Sequence, residues 1–582
     1  MKASDYIIQY LGKQGTKVVF GYIGGAITHL VDSADKSDSL KFVQVYHEQT
    51  AAFAAEGYAI NSGKVGVAMA TSGPGATNLI TGIADAYFDS IPVVFITGQV
   101  NTYEYKYDKP IRQQGFQETD IVSIVKPITK YAKIIDKPEM ICVELEKAFY
   151  LATSGRPGPV LLDIPMDIQR AEINPKSYPD SFKEDYTPLP IKSVEEVKNL
   201  LKQSKRPIIL AGGGVRMSQG EKELLIFSRN NSIPVVTSLM GKGSFPEESD
   251  LFVGMIGSYG NRCANMILSN ADLLIALGTR LDTRQVGTLL ESFLREGKVI
   301  HVEIDDNEIK HNRLKRYLKI KANLKTLLTE LNNMDYKKTP ISAWENYIKK
   351  IKNEYSQNKE IEKNCDNKLP YTVMDVLNQS SGKNQVYCID IGQNQMFAAQ
   401  SLKIKEGQKF LTSGGMAPMG YAIPIAVGAS FSDKSNKSIW AIVGDGGLHI
   451  STQSLMLISQ YKLPIKVIVL NNHALGMIAQ FQDLYFDERK VATTKEGGYL
   501  VPDIKSLAKS YNLKYYRLDK NNINDLEKIM KSVEACLVEV VIDEKTVVCP
   551  KLEVNTPIED LNPKLDKKEL QEMMLIKLYD KK

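Results

Sequence analysis

Short apolar runs recur along the chain, each followed by a segment of helix length. TKVVFGY, GVAMATSG and IPVVFITG fall in the first stretch, and RPIILAGGG, IPVVTS, DLLIALG and KVIHVEID in the middle. NQVYCID, SIWAIVGDG, IKVIVLNN and ACLVEVVID fall in the last. The runs are short and rich in β-branched residues, which suits strands covered on both faces of a parallel sheet. Many end in Gly or an acid and lead into an amphipathic segment. This βα alternation predicts an α/β chain of doubly wound parallel sheets. Ligands in such sheets gather at the carboxyl ends of the strands.

Two polar stretches interrupt the pattern. NPKSYPDSFKEDYTPLP (174–190) is rich in Pro, Asp and Ser and reads as a linker. A Lys/Glu-rich stretch from about 334 to 369 reads either as an exposed helix or as a tether. These cuts give three α/β domains, 1–175, 188–335 and 365–550, and a tail, 551–582, holding a turn and one amphipathic helix. No short-period repeat is present, and the first and third domains are alike in general pattern only.

The strongest chemical feature is GDGG at 444–447, after the strand SIWAIV, followed by VIVLNN ending at 471–472. Asp445 and Asn472 thus stand at the ends of successive apolar strands. A carboxylate and an amide carbonyl are hard oxygen ligands of the kind Mg²⁺ prefers. Gly444 and Gly446 leave room for a diphosphate to approach the backbone. GDG alone reads more readily as an ordinary βα turn; the NN pair at a second strand end is what favours a metal site.

Composition narrows the partners. Basic residues (73) nearly balance acidic ones (68), so charge gives no argument for a nucleic-acid or membrane partner. No apolar run approaches the ~20 residues of a membrane span, and MKASDYIIQYLGKQG has no secretory core. Six scattered cysteines without a C-x-x-C pair predict reduced thiols in a cytoplasmic protein. Six histidines are too dispersed for a metal cluster; His449 reads as a packing residue and His473 as a neighbour of the metal site.

GDG, a spacer and NN resemble the thiamine diphosphate (ThDP)–magnesium motif of thiamine-diphosphate enzymes. The likeness extends over nearly the whole chain. YHEQTAAFAAEGYA (46–59), ATSGPGATNLITGIADA (70–86), GFQETDIV (115–122), SGRPGPVLLDIP (154–165), TSLMGKGSFP (237–246) and GQNQMFAAQ (392–400) are similar to the acetohydroxyacid synthase (acetolactate synthase) large-subunit family. That resemblance implies a pyruvate decarboxylase-like fold whose domains bind, in order, the ThDP pyrimidine, FAD, and the ThDP diphosphate with Mg²⁺. It implies a transferase that decarboxylates pyruvate and joins the two-carbon unit to a second 2-keto acid.

Residue roles follow from the same likeness. Glu48 matches the acid that bonds the pyrimidine N1′ and turns the 4′-amino group into a base toward the thiazolium C2 proton. Taken alone it reads as a surface acid on a helix starting near Gln49. Met419 matches the residue that props the cofactor into its bent form, and Met477 a second packing methionine. Gly392, Gln393 and Asn394 match the diphosphate-contacting turn, although the family commonly has His at Asn394. The third protein ligand of Mg²⁺ is implied to be the backbone carbonyl of Ala474. Gly25, Phe116 and Gln117 match residues facing the reacting centre. Arg284 matches an arginine holding the acceptor's carboxylate, with a flavin-phosphate or ion-pair role as the equal alternative. Arg156, Gly212, Gly213, Thr237, Leu239, Arg280 and Asp305 match contacts to a mainly structural FAD, which some relatives lack. In this family the Glu48 and GDG domains of one site come from different chains, which implies a homodimer or homotetramer.

The sequence departs from the family's branched-chain amino-acid enzymes on the acceptor side. Phe481 stands where Trp is usual, Met166 where Lys is common, and Asn101 where Pro is found. Ile23 replaces Pro, and Thr28–His29 replaces a hydrophobic–Pro pair. The tail resembles the endings of acetolactate-synthase-like proteins that join pyruvate's acetaldehyde unit to a nucleotide-linked 4-keto-deoxysugar for surface polysaccharides. Arg284 favours a keto acid instead. A keto-acid acceptor, a keto-sugar acceptor and an FAD-linked pyruvate oxidase are the three readings the sequence leaves open.

Overall fold

The computed structural model describes residues 1–175, 182, 191–314, 317–334, 340–432 and 438–580. Most of the Pro-rich stretch 174–190 therefore lies outside the described residues. The apolar runs form three parallel six-stranded sheets. The first contains β1 (Val18–Tyr22), β2 (Lys41–Gln44), β3 (Gly66–Ala70), β4 (Val93–Gln99), β5 (Tyr131–Ile134) and β6 (Val160–Pro165), in the order β2-β1-β3-β4-β6-β5. After β2 the chain enters α1 (Glu48–Ser62). His47 caps this helix by accepting the Gln49 N–H on its Nδ1, and Gly63, at φ 71°, ends it. Left-handed backbone there suits glycine.

The second sheet contains β7 (Pro207–Ala211), β8 (Val235–Thr237), β9 (Phe252–Met255), β10 (Leu273–Leu277), β11 (Lys298–Glu303) and β12 (Tyr317–Lys321), in the order β12-β11-β10-β7-β8-β9. The stretch read as an exposed helix or a tether is helical where described: α2 (Ser342–Glu354) and α3 (Gln357–Asn364). It is not a loose tether. Trp344, Ile348, Ile351 and Tyr355 recur at helical spacing and are buried in the core of the second sheet, and the Trp344 indole donates to Pro207 O at 3.0 Å. Lys and Glu dominate the count, but they occupy the other face.

The third sheet contains β13 (Val386–Ile389), β14 (Lys409–Leu411), β15 (Ile439–Gly444), β16 (Ile465–Asn471), β17 (Lys514–Leu518) and β18 (Cys536–Val541). Its order, β14-β13-β15-β16-β18-β17, repeats that of the first sheet strand for strand. Its strand ends lead into α4 (Gln393–Ser401), α5 (Ala422–Ser432), α6 (Asp445–Ile450) and α7 (Gly476–Tyr485). The first and third sheets share one core, and α1 packs on α5 at its centre. Glycine on each helix allows the close approach: a Cβ at Gly57 would overlap the Ile425 carbonyl, and one at Gly428 the Ala54 carbonyl. Neither helix has a polar stripe in its buried stretch, because each is covered on several sides.

The tail does hold an amphipathic helix, α8 (Lys567–Met573), and it returns to the second sheet. Leu552, Ile558, Leu561, Leu570 and Met574 join that core. The buried Arg262 guanidinium donates to Leu561 O (3.0 Å), Pro563 O (2.6 Å) and Glu360 (2.9 Å). A buried cation is tolerated when its donors are filled in this way.

Candidate functional site

The carboxyl end of the third sheet brings together the largest group of the residues singled out by the sequence. Asp445 opens α6 and is buried. Its Oδ1 accepts from the Tyr499 hydroxyl at 2.9 Å, while its Oδ2 is buried with no hydrogen-bond partner. Burial raises the carboxyl above its ordinary range, with the Tyr499 bond opposing. An unsatisfied buried oxygen is costly, and a hard cation would relieve it. Asn472, at the end of β16, donates its Nδ2 to Gln393 Oε1 (3.2 Å), and Gln393 Nε2 donates to Thr546 O (2.9 Å). That arrangement sends Asn472 Oδ1 the other way, where it accepts only a long bond from the Ala474 N–H at 3.3 Å. His473 between them has φ 54°, and Asn471 stabilises this turn by accepting the His473 N–H (3.1 Å) and donating to Glu539 (2.7 Å).

Among the described residues no group of three or more His, Cys, Asp or Glu could hold a metal. One carboxylate, one amide oxygen and a backbone carbonyl instead suit Mg²⁺ that takes its remaining ligands from phosphate and water. A Cβ on Gly446 would stand 2.8 Å from Met419 Cε and 2.9 Å from Leu475 Cδ2. Gly446 thus keeps open a cradle that Met419 covers. The loop bearing Met419 is held at both ends. Ser413 donates to Asp85, and the Gly414 and Gly415 N–H groups donate to Asp89 (2.9 and 2.8 Å). Asp390 accepts from the Gly420 and Ala422 N–H groups at 2.9 Å each, and burial pushes its carboxyl up to about 6.

Some expectations need correction here. The Asn394 amide nitrogen is committed to the protein: its Nδ2 donates to Asp390 O (2.7 Å) and Ile442 O (3.3 Å), so the side chain has no donor left for a diphosphate. His449 is exposed rather than packed, because the helical turn after Gly447 points it outward. Met477 Sδ accepts from the Tyr259 hydroxyl at 3.2 Å, tying α7 to the second domain. Phe481 lies further along α7, 43% exposed, against the rings of Tyr485 and Phe486.

At the first sheet Glu48 is the first residue of α1, and it is buried at 7% exposure rather than a surface acid. Asn78, which sequence reasoning passed over although it lies in the GPGATN run, donates to Glu48 Oε2 at 2.9 Å. Gly25 has open space where a Cβ would be. Glu118 accepts the N–H groups of Lys106, Gln114 and Gly115 (2.8, 2.6 and 3.0 Å) and so shapes the loop before it. This loop presents Phe116 at 86% exposure, with Gln117 at φ 63° beside Gly73. Met166 is half-buried at the end of β6.

A cavity of about 910 Å³ lies where the three sheets' domains meet. Arg156, Gly213, Leu239, Arg280 and Arg284 line it; Gly212, Thr237 and Asp305 are not among the lining residues. Gly212 is pressed against the Gly278 carbonyl, Thr237 is fully buried with an unpartnered hydroxyl, and Asp305 caps a short helix through the Asn307 N–H. Arg156 bridges the first and second domains through Ser90 (2.8 Å), Glu308 (2.7 Å) and Asp305 (3.3 Å). Arg284 is exposed on the wall. Among the described residues no helix is long and apolar enough to cross a membrane.

Three family models match the three sheets' domains. Residues 1–124 match the thiamine pyrophosphate enzyme N-terminal TPP binding domain, 194–331 the central domain, and 390–543 the C-terminal TPP binding domain. Similar proteins include the acetolactate synthase large subunit of Cyanidium caldarium, 39% identical over 559 residues and covering 92% of each chain. The probable acetolactate synthase large subunit of Methanocaldococcus jannaschii is 39% identical over 93% of this chain and 92% of its own. The acetolactate synthase large subunit of Lactococcus lactis is 36% identical over 94% of each.

Proposed function

The chain belongs to the acetolactate synthase large-subunit family of thiamine-pyrophosphate enzymes, and from that premise we propose that it decarboxylates pyruvate and joins the two-carbon unit to a second 2-keto acid. The observation that carries this reading is the cluster at the third sheet: the unpartnered Asp445 Oδ2 beside Asn472, Gln393 and the Met419-covered Gly446. The relatives' names favour neither the keto-sugar acceptor nor the oxidase.

Thiamine diphosphate, when bound, would supply an electron sink for the pair left by departing CO₂. This chain's residues do the rest. Asp445, Asn472 Oδ1 and the Ala474 carbonyl hold Mg²⁺. Gly392, Gly444 and Gly446 admit the diphosphate to the backbone, with Gln393 orienting Asn472 and Asn394 contributing its main chain. Glu48 shares a proton with the pyrimidine N1′, steadied by Asn78. Met419 and Met477 pack the cofactor. Gly25, Phe116 and Gln117 face the reacting carbon, Gln117 as donor to a developing alkoxide. Arg284 holds the acceptor carboxylate, and Phe481 and Met166 shape the acceptor's space.

The three-domain cavity suits FAD in a structural role, because the net reaction is not a redox one. Of the residues matched to it, Arg156, Gly213, Leu239 and Arg280 line the cavity and are assigned to the flavin, with the glycines after β7 in support, while Gly212, Thr237 and Asp305 stand behind its wall. The domains are assigned as 1–175 for the pyrimidine, 188–335 for FAD and 365–550 for diphosphate and Mg²⁺, with 551–582 as the tail. The exposed Phe116 supports a homodimer or homotetramer in which each site uses Glu48 of one copy and Asp445 of another.

The test is incubation with pyruvate, ThDP and Mg²⁺, assaying acetolactate and CO₂. Absence of CO₂ from any simple 2-keto acid overturns the proposal. Acceleration by a nucleotide-linked keto-sugar replaces the acceptor, and anaerobic bleaching of the flavin by pyruvate replaces the reaction with an oxidase's.

A further inference from the structure

The six cysteines are buried and free. Two of them, far apart in sequence, meet behind the third sheet's cofactor end. Cys365 follows α3, and Cys549 follows the strap that leaves β18 for the tail. Cys549 Sγ lies 3.9 Å from the carbonyl of Asn364, the neighbour of Cys365, which sets the two thiols beside each other. The Tyr371 hydroxyl fixes the Cys549 backbone on both sides, donating to its carbonyl (2.9 Å) and accepting its N–H (3.1 Å). The strap touches the candidate metal site. Thr546 O accepts from Gln393, which holds Asn472, and Val548 exchanges two bonds with Gln480 of α7 (3.1 and 3.2 Å).

We propose that Cys365 and Cys549 are a reversible disulfide site, oxidised by a peroxide, and that the bond acts on the strap behind Gln393 and Gln480. The Cys549 thiol's hydrogen bond holds the Cys365 thiol below its ordinary range, and the same contact with burial pushes Cys549 up. The attack is assigned to Cys365, with its thiolate as the nucleophile. Its sulfur displaces one oxygen of hydrogen peroxide, giving a sulfenic acid and, with a proton, water. The Cys549 sulfur then attacks that sulfur; the S–S bond forms, and the sulfenic oxygen leaves as a second water with the thiol proton. Both cysteines lose one electron, and the peroxide takes two. A disulfide requires its sulfurs about 2.05 Å apart, closer than a hydrogen-bonded pair, so closure draws Cys549 and the strap toward α3.

The experiment treats the holoenzyme with hydrogen peroxide, then counts thiols after denaturation and maps cross-linked peptides. The expected result is a fall from six thiols by two, a Cys365–Cys549 linked peptide, and recovery with dithiothreitol. Cys549→Ser and, independently, Cys365→Ala should abolish the linkage. An unchanged thiol count, or linkage of either cysteine to another partner, overturns the proposal. A second readout rests on the reading of Asn472 as a magnesium ligand: Mg²⁺ binding by equilibrium dialysis should weaken about tenfold in the disulfide form, the scale of disturbing a ligand's support. Equal binding in both forms overturns the action on the strap. Absence of Mg²⁺ binding in the reduced form overturns the ligand reading instead and leaves the thiol result standing.

Discussion

The first and third sheets have the same strand order and each sends a buried helix to the shared core, yet their strand ends carry different chemistry. After β2 the first sheet offers Glu48, paired with Asn78. After β14 the third offers the Met419 loop. After β3 comes a Gly-Pro-Gly turn without a carboxylate, whereas after β15 comes Gly-Asp-Gly with an unpartnered carboxylate oxygen. The frame fixes where strand ends lie. On the proposed function, the residues at those ends decide whether a given end would handle protons or a cation.

Four substitutions bear on that division. The largest effect is expected from Glu48→Gln, which keeps the shape and the Asn78 contact but removes the exchangeable acid. CO₂ release from pyruvate should fall by roughly 10²–10⁴-fold, the usual worth of a positioned acid–base group, with Mg²⁺ binding unchanged in dialysis. A variant that loses both at once would erase the distinction between the two ends. Next is Gln393→Ala at the other end. It frees Asn472 without touching Glu48, so Mg²⁺ affinity should drop by about 10–100-fold, and activity should return at high Mg²⁺. A smaller effect is expected where the two halves are most alike. Gly57→Ala and Gly428→Ala each press a methyl on the opposite backbone carbonyl, at a cost of about 1–3 kcal/mol. Matched falls in thermal midpoint would show that the two contacts are equivalent in energy as well as in place.

The sheets themselves were legible because their strands are continuous apolar runs, and the cluster proposed to hold a metal because GDG and NN close two of those runs. The repeated strand order was not legible: hydrophobic runs announce strands without saying which pair. The helices at 342–364 were masked by Lys and Glu, although Trp344, Ile348, Ile351 and Tyr355 carried the period. Asn394 lies in the first turn of α4, but its amide turns inward to two carbonyls, a choice set by neighbouring backbone rather than by residue type. Tyr499, which bonds Asp445, lies in an irregular loop with no periodic signal to mark it.

The smallest effect concerns the seam between the two halves. Asp85 sits there fully buried, facing Glu56 and Asp89 from the first domain and Ser413 and Tyr421 from the third. Burial and the Asp89 charge push its carboxyl up to about 7, and burial with the Asp85 charge raises Glu56 well above its range. A carboxyl whose folded-state value exceeds its unfolded value of about 3.9 binds more protons in the folded protein. Its contribution to stability is complete below about pH 4 and is lost as pH rises through 7. The thermal midpoint should therefore fall between pH 5 and pH 8. In Asp85→Asn the fall should be shallower, because the amide keeps an acceptor for Ser413 and has no proton to lose. Equal slopes in the two proteins would mean that the seam carries no such proton. The two halves would then be joined there by the glycine contacts of α1 and α5 and by hydrogen bonds such as those of Gly414 and Gly415 to Asp89, without a shared proton.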